Sequence, residues 1–251
     1  MIEASDSDGV RILRLAHGKA SALDLELVVA LKQAIEKAAA ADPHAIVLTG
    51  SGHIFCAGVD LFRIVEGGAD YVRRYLAAFA ELMFALFTVE RPLVVAANGH
   101  AIAGGAVLVA AGDYRLMAAG KGRFGYTELL VGVPFPPAAF EIIRFATPPS
   151  RQQEMLYTGR TYPPDETLAR ALVDEVVEQA RLLDRAMEVA QQIGRVPHSA
   201  FAVTKRHLRA PALVRMREYE EVYGAEVVEA WASEKTRESV RAYLASTVRK
   251  N

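Results

Sequence analysis

Cysteine is almost absent from this sequence, which holds a single one, Cys56, among 251 residues. One cysteine cannot form a disulfide within the chain, so the disulfide-framed class of small secreted proteins is excluded. The stretch from Met1 to Asp6 also lacks the charged and apolar regions of a secretory signal. We therefore expect a cytoplasmic protein.

An excess of charge of one sign is missing too, since 29 Lys and Arg stand against 30 Asp and Glu. Such a balance provides no broad field that would attract nucleic acid or an anionic membrane. Long apolar runs are also missing: even residues 93–111 are interrupted by Asn98, His100 and glycines, well short of the roughly 18 residues needed to cross a bilayer. The expected protein is soluble, with neither nucleic acid nor a membrane as partner.

The usual sequence patterns of cofactor and metal sites are incomplete. Gly50-Ser51-Gly52 follows an apolar run, but Phe55 stands where a dinucleotide-binding turn would need its third glycine. No Gly-Lys-Ser/Thr triplet occurs, and the six histidines lack cysteine or carboxylate partners at ligand spacing. We expect neither a nicotinamide cofactor nor a metal.

Apolar periodicity predicts an α/β protein whose last third is helical. Strands are predicted at residues 10–15, 45–49, 92–97, 114–118 and 175–177. Helices are predicted at residues 23–41, 71–87, 106–111, 138–145, 150–157, 165–171, 182–193, 199–208 and 212–244. At this length and with 52% hydrophobic residues, the chain can bury one large core with a helical extension.

Two glycine-bearing turns follow strand-like runs, one within residues 55–61 (FCAGVDL) and one within residues 98–105 (NGHAIAGG). Both can direct backbone N–H groups into one pocket, where two donors can hold the oxygen of an enolate. An isolated carboxylate, Glu128, follows in Phe124-Gly125-Tyr126-Thr127-Glu128. On its own Glu128 could be a helix-start residue, and the glycines could only permit tight turns.

These two turns, in this order, resemble the oxyanion loops of the enoyl-CoA hydratase/isomerase family, also called the crotonase family. The resemblance runs from the first strand to the final helix. It implies a core of stacked ββα turns over residues 1–195 and a C-terminal helical region, residues 196–251, that covers the site and builds a homotrimer or a dimer of trimers. The ligand implied is an acyl-CoA thioester, so coenzyme A belongs to the substrate and no cofactor is needed.

The same resemblance implies the site residues. The N–H donors are those of Val59 and Gly104, and the family's first turn glycine is replaced by Ala103, a change small enough to keep the Gly104 amide pointing inward. Glu128 is the implied catalytic carboxylate. The implied substrate-binding residues are Ala57, Gly58, Asp60, Leu61, Gly105, Val107 and Phe135.

The residue at position 107 distinguishes between hydration and isomerisation. Family hydratases use two glutamates to hold and ionise a water, and the first of these positions is Val107 here. Valine exchanges no proton, so hydration loses one of its two acid/base groups. Isomerisation of a 3-enoyl thioester needs only one base, which removes a proton from C2 and returns it to C4. Residues 125–135 look like the Δ3,Δ2-enoyl-CoA isomerase branch, which carries a single glutamate here and implies a role in fatty acid metabolism.

Other readings remain open. Hydration, or another acyl-CoA reaction of this family, could use Glu141 or another carboxylate as a second acid. A protein with this pocket could also bind acyl-CoA without catalysis. Cys56 has no histidine placed in sequence to activate it and is more typical of core. Lys19 and Arg63 are candidates for the phosphates of coenzyme A, against the alternative of solvated surface charge. Trp231, with Tyr219 and Tyr223, is interpreted as part of a subunit interface.

Overall fold

A six-stranded sheet forms the centre of the molecule, for which a computed structural model describes residues 1–248. The strand order is β1-β2-β3-β5-β7-β9, and every pair is parallel except β1 with β2. Its strands are β1 (Ile2–Ser7), β2 (Val10–Leu15), β3 (Ala45–Gly50), β5 (Leu93–Ala97), β7 (Tyr114–Ala118) and β9 (Glu175–Val177). The alternation of strand and helix therefore predicted the main sheet correctly, apart from the exposed edge strand β1.

A second, three-stranded parallel sheet carries the short strands β4 (Ile54–Cys56), β6 (His100–Ile102) and β8 (Phe124–Gly125) in that order. Each of these strands follows a strand of the large sheet and precedes a helix, which gives three successive ββα turns. The predicted fold class, a crotonase-like α/β core with a helical C-terminal region, is confirmed. None of these three strands was predicted, because segments of two or three residues carry little periodicity, although β9, which is as short, was predicted with the bounds it has.

Helices cover both faces of the large sheet, as expected for parallel strands with continuous apolar sequence. Val47 and Val94 contact the layer that contains Leu182 and Val189, while Leu48 and Val95 face the opposite core. The helices are α1 (Leu25–Ala40), α2 (Leu61–Thr88), α3 (Gly104–Ala110), α4 (Glu128–Val131), α5 (Pro137–Ala146), α6 (Pro149–Thr158), α7 (Pro164–Ala169), α8 (Leu182–Gly194), α9 (His198–Ala232) and α10 (Glu234–Val248).

Helix α2 begins ten residues earlier than its periodicity predicted. The Asp60 carboxylate caps it by accepting a hydrogen bond from Arg63 N at 3.1 Å. Gly68 then interrupts the helix with φ +66°, a conformation that glycine adopts without steric cost. The predicted helix 71–87 corresponds to the segment beyond this kink, so only the part with unbroken apolar spacing was recognised.

The predicted break between residues 208 and 212 is wrong. Helix α9 continues through Pro211, although an interior proline typically costs about 3 kcal/mol. Arg209, Ala212 and Met216 are buried on either side of it, so packing holds the helix together. Helix α9 ends instead at Ala232, with Ser233 as its C-cap.

The predicted boundary at residue 196 falls in the linker between α8 and α9. Residues 249–251 of the predicted 196–251 region lie outside the described residues. That this region builds a trimer stays a prediction. Within residues 1–248, no helix is both long and apolar enough to cross a bilayer.

Candidate active site

The first turn leaves β4 through Ala57 and Gly58, whose φ of +86° suits glycine. A Cβ on Gly58 would lie 2.7 Å from Ile102 O, so the first turn packs directly against the second. Leu23 N donates to Gly58 O at 2.7 Å and Asp60 N donates to Leu23 O at 3.1 Å. In such a parallel bridge the intervening residue, Val59, directs its own N–H away from Leu23. Within residues 1–248 this N–H has no hydrogen-bond acceptor.

The second turn follows β6, and Ala103 N donates to Gly125 O at 2.8 Å. Ala103 has φ +50° and ψ −122°, a region that costs a non-glycine residue of the order of 1–3 kcal/mol. Gly104 begins α3, and its N–H finds no acceptor in the described part of the chain, as is usual for a first helical residue. The strained residue therefore precedes one of the two free amides.

Glu128 is the first residue of α4, immediately beyond β8 and Thr127. Its side chain is only 6% exposed, and Oε2 has no hydrogen-bond partner among the described residues. Burial raises the pKa of Glu128 from its ordinary value near 4.5 to about 7, against the opposing effect of the Glu128 and Thr127 backbone amides. A carboxyl with this pKa exchanges its proton readily near neutral pH.

Glu128 and both turns line one cavity of about 100 Å³. Its walls come from the two turns, from α4 and the segment after it, and from the C-terminal helices. The lining residues are Ala57, Val59, Leu61, Ile102, Ala103, Thr127, Glu128, Val131, Val133, Trp231 and Tyr243. Apart from the Glu128 carboxyl, the Thr127 hydroxyl, the Tyr243 phenol and the Trp231 indole, these side chains are apolar. Glu128 is the one carboxylate among them.

The interpretation that Trp231 packs at a subunit interface is wrong, because the structure buries this residue inside its own chain. Its ring is 2% exposed and lines the Glu128 cavity. The indole Nε1 donates to Pro134 O at 2.8 Å, which fixes the end of α9 over the segment that follows α4. Trp231 and Tyr243 carry no local signal that would have connected them with Glu128. Val131, by contrast, lies one helical turn after Glu128 and could have been found from that spacing.

Several predicted substrate-binding residues lie outside the lining of this cavity. Gly105 packs so closely on β4 that a Cβ would lie 2.9 Å from the Cys56 carbonyl carbon. Val107 lies fully buried in α3. Asp60 uses its carboxylate as the cap of α2. Phe135 lines a separate apolar cavity of about 550 Å³ between α5, α6 and α9.

The two candidate phosphate-binding cations lie near the first turn. Arg63 is held by Glu26 at 2.6 Å and its guanidinium lies 5.3 Å from the centre of the Tyr71 ring. Lys19 is exposed and precedes Ala20, whose carbonyl accepts a hydrogen bond from Ala57 N at 3.0 Å. Of the two cations, Lys19 is therefore the more accessible to a ligand, since Arg63 is paired with Glu26.

Glu141, the candidate second acid, is fully buried in α5 and does not line the Glu128 cavity. Its carboxylate accepts hydrogen bonds from Arg215 Nε at 2.7 Å and from Arg144 at 3.2 Å. Both oxygens are therefore occupied by cations. Among residues 1–248, no three His, Cys, Asp or Glu side chains come together as metal ligands would.

Val59 and Glu128 line one mostly apolar cavity, and Gly104 directly follows the lining residue Ala103. Within residues 1–248 the N–H groups of both Val59 and Gly104 lack an acceptor. Two amides stabilise an oxyanion, and an opposing carboxylate with a pKa near neutrality can remove and return a proton. Such a set of groups suits proton abstraction beside a carbonyl. It contains no nucleophile activated by a histidine.

The sequence matches the family model described as enoyl-CoA hydratase/isomerase over residues 6–248. A putative enoyl-CoA hydratase of Thermus thermophilus is 33% identical over 193 residues, covering 75% of each chain. A carnitinyl-CoA dehydratase of Salmonella enteritidis is 31% identical over 211 residues, covering 82% of this chain and 79% of the relative.

Among solved structures, one from Mycobacterium tuberculosis is described as a probable enoyl-CoA hydratase and has a TM-score of 0.82 with 28% identity, over 100% of this chain and 99% of its own. Another from that organism, described as an enoyl-CoA isomerase, has a TM-score of 0.79 with 29% identity over 93% and 98%. Human mitochondrial Δ3-Δ2-enoyl-CoA isomerase superposes with a TM-score of 0.92 at 22% identity, over 100% and 99%, and shares the fold.

Proposed function

The chain belongs to the enoyl-CoA hydratase/isomerase family, and from this premise we propose that it moves the double bond of a 3-enoyl-CoA to the 2-position. One observation carries the proposal: among the described residues Glu128 is the one carboxylate that lines the cavity, while Val107, where a hydratase of the family has its other glutamate, is a buried valine. A single base suffices for isomerisation but not for the paired acid/base work of hydration.

The proposed reaction begins with the thioester oxygen held by the N–H groups of Val59 and Gly104. The Glu128 carboxylate takes a proton from C2, and the electron pair of the C–H bond becomes a dienolate whose charge rests mainly on that oxygen. The same carboxyl then returns the proton to C4, which leaves the double bond between C2 and C3. Proton and electrons balance without a cofactor, since coenzyme A stays attached to the acyl group.

The cavity is suited to retaining the abstracted proton. Val131, Val133 and Trp231 enclose Glu128 with apolar surface, which limits exchange with water between the two transfers. Burial raises the pKa of Glu128 to about 7, so that proton removal and return are both accessible near neutral pH. The exposed Lys19 ammonium beside the first turn is the proposed contact for a phosphate of coenzyme A, with Arg63 as the second.

Hydration or dehydration is the second candidate, because two relatives similar in sequence carry the names hydratase and dehydratase. It would need a second acid. Glu141, which was considered for that role, is occupied by Arg144 and Arg215 and lies outside the cavity wall. This pairing favours the single-base isomerase.

The assay that separates the candidates offers the purified protein a 3-enoyl-CoA and, separately, a 2-enoyl-CoA, and follows the absorbance of the conjugated thioester. The isomerase is expected to form the conjugated product and to leave it intact. Loss of the 2-enoyl substrate would contradict the proposal in favour of hydration. Thioester binding without turnover of either would favour a non-catalytic acyl-CoA-binding protein.

A homotrimer or a dimer of trimers in the cytoplasm is part of the same proposal. Helix α9 exposes large apolar side chains, with Leu208 at 66% and Val214 at 60% exposure. Burying such residues against another copy would be favourable. Light scattering of the purified protein should give a mass three or six times that of the 27.3 kDa chain.

A further inference from the structure

Two apolar cavities of unequal size border the segment that follows β8. The cavity with Glu128 measures about 100 Å³, and the second, between α5, α6 and α9, measures about 550 Å³. Sites for small molecules usually measure about 300 to 1,000 Å³, so the cavity with the carboxyl is small and its neighbour is of ordinary size. The wall between the two therefore limits how much of an acyl group can lie beside Glu128.

This wall is one residue thick in three places, where residues adjacent in the sequence line opposite cavities. The three pairs, each with the residue of the Glu128 cavity first, are Glu128 with Leu129, Val133 with Pro134, and Trp231 with Ala230. Adjacent Cα atoms are only about 3.8 Å apart. At these three places the polypeptide itself separates the two cavities.

Hydrogen bonds join the three pairs into a continuous wall. Val133 N donates to Glu128 O at 3.2 Å, which connects the first pair with the second. Trp231 Nε1 donates to Pro134 O at 2.8 Å, which connects the second pair with the third. The end of α9 is thus attached to the segment that carries Glu128.

The indole of Trp231 is the side chain that closes this wall. It extends from α9, where the preceding residue Ala230 lines the larger cavity, to Pro134, which lines that cavity too. The ring is buried, and Ser233 and Thr236 hold the end of its helix, because their hydroxyls donate to Ala230 O at 2.9 and 2.6 Å. A ring that is packed and hydrogen-bonded in this way stays in place.

We propose that Trp231 is the specificity-determining residue of this site and limits it to short acyl groups, of about four to six carbon atoms. This inference rests on the proposed function, because it takes an acyl-CoA as the ligand. A cavity of about 100 Å³ has the volume of about three water molecules in the liquid, which is room for the reacting carbons C1 to C4 and little beyond them. A longer chain would have to displace the indole and break its hydrogen bond to Pro134.

Saturated acyl-CoA thioesters of increasing length test this in the wild type, because their binding does not depend on turnover. Trp231 is the only tryptophan of the sequence, so its fluorescence reports binding from the wall itself. Each methylene that is buried strengthens binding by about three- to fourfold. We expect the affinity to rise from acetyl-CoA to butanoyl- or hexanoyl-CoA and then to level off or fall. A steady rise up to dodecanoyl-CoA would overturn the inference and leave the proposed function standing.

Trp231→Ala should shift the preference toward long chains, because the space left by the ring borders the larger cavity. The ratio of kcat/KM for 3-dodecenoyl-CoA to that for 3-hexenoyl-CoA should rise by about 10- to 100-fold. The ratio is the readout because loss of the ring also admits water to Glu128, which lowers the turnover of both substrates alike. Calorimetry should show tighter binding of dodecanoyl-CoA as well. An unchanged ratio in the folded variant would contradict the inference.

Val227→Asp is the matched control. Val227 lies one helical turn before Ala230 and lines the larger cavity but not the smaller one. In the wild-type background this charge should leave the chain-length ratio unchanged. Combined with Trp231→Ala it should abolish the gain, because an apolar tail would have to desolvate the carboxylate. A gain that survives in the double variant would mean that the tail takes another route, and the inference would be wrong.

The binding series also separates this inference from the proposed function. If affinity levels off after the short chains while no 3-enoyl-CoA is turned over, the proposed function fails and the role of Trp231 stands. If the wild type binds acyl-CoA of no length, both fail.

Discussion

Glu128 and Glu141 are two buried glutamates thirteen positions apart that have opposite surroundings. Glu141 has no solvent exposure and both of its oxygens accept from arginines. Glu128 is nearly as buried, but its Oε2 has no partner in the described residues. An unpaired buried carboxyl destabilises the fold, whereas a paired one is costly only when its partner is removed. The proposed function accounts for this difference, with Glu128 as the base of the reaction and Glu141 as part of the frame.

Exchanging each carboxylate for its amide tests this comparison most strongly at Glu128. We expect Glu128→Gln to lower kcat for a 3-enoyl-CoA by about 10³- to 10⁴-fold, because general base catalysis is lost. Binding of acetoacetyl-CoA should persist. Turnover that survives within tenfold would show that Glu128 is not the base.

The effect of pH on stability should also reveal the burial of Glu128. The folded Glu128 carboxyl has its pKa raised to about 7, so between about pH 4.5 and pH 7 the folded state keeps a proton that the unfolded chain has released. Stability is therefore highest below this window and falls as pH rises through it, by about 3 kcal/mol for this group alone.

Glu128→Gln carries no charge at any pH and should escape this loss. The quantity to measure is the free energy of unfolding in urea, for the variant and for the wild type at each pH. The difference between them, variant minus wild type, should be up to about 3 kcal/mol larger at pH 8 than at pH 4. Glu66→Gln, at an exposed position of α2, is the control and should show no such pH-dependent difference. A constant difference between Glu128→Gln and wild type across this range would contradict the raised pKa.

For Glu141, whose carboxylate is paired with two arginines, we expect substitution to change stability but not catalysis. Glu141→Gln leaves Arg215 and Arg144 without their anion, at a cost of about 2 kcal/mol, less than for a fully buried pair because the two arginine side chains are 33% and 44% exposed. Urea unfolding measures the loss, and kcat per folded molecule should stay within about threefold. A large fall in kcat at unchanged stability would make Glu141 the second acid of a hydratase.

The sequence allowed prediction of whatever depends on local pattern. The strand predicted at residues 45–49 is found at Ala45–Gly50 and is buried throughout, because a buried parallel strand is a nearly continuous apolar run. Glu128 and the two turns were found through family resemblance, and the structure brings Ala57, Val59 and Glu128 to one cavity. The roles of these residues stay predictions until turnover is measured.

The remainder depends on contacts between distant parts of the chain. Trp231 reaches the cavity wall through a hydrogen bond to Pro134, 97 positions away, and no local pattern predicts such a pair. The Tyr75 hydroxyl on α2, which is buried and has no hydrogen-bond partner among residues 1–248, is equally unpredictable, because its state depends on which groups the fold brings near. In the same way Pro211, a helix breaker by propensity, is overridden by the packing of α9.

The smallest expected effect concerns strain rather than charge. Ala103 and Ala171 both have positive φ, +50° and +56°, but only Ala103 lines the cavity. Replacing either by glycine should raise the free energy of unfolding by about 1 kcal/mol, because the strain relieved exceeds the extra entropy of the unfolded chain. Ala171→Gly should leave kcat unchanged. If Ala103→Gly is stabilised equally and also keeps its kcat, the strain at the second turn is incidental. If it is stabilised but loses kcat, the strained alanine holds the Gly104 amide in place. The backbone of the site, like the Glu128 side chain, would then be kept in a state that costs stability.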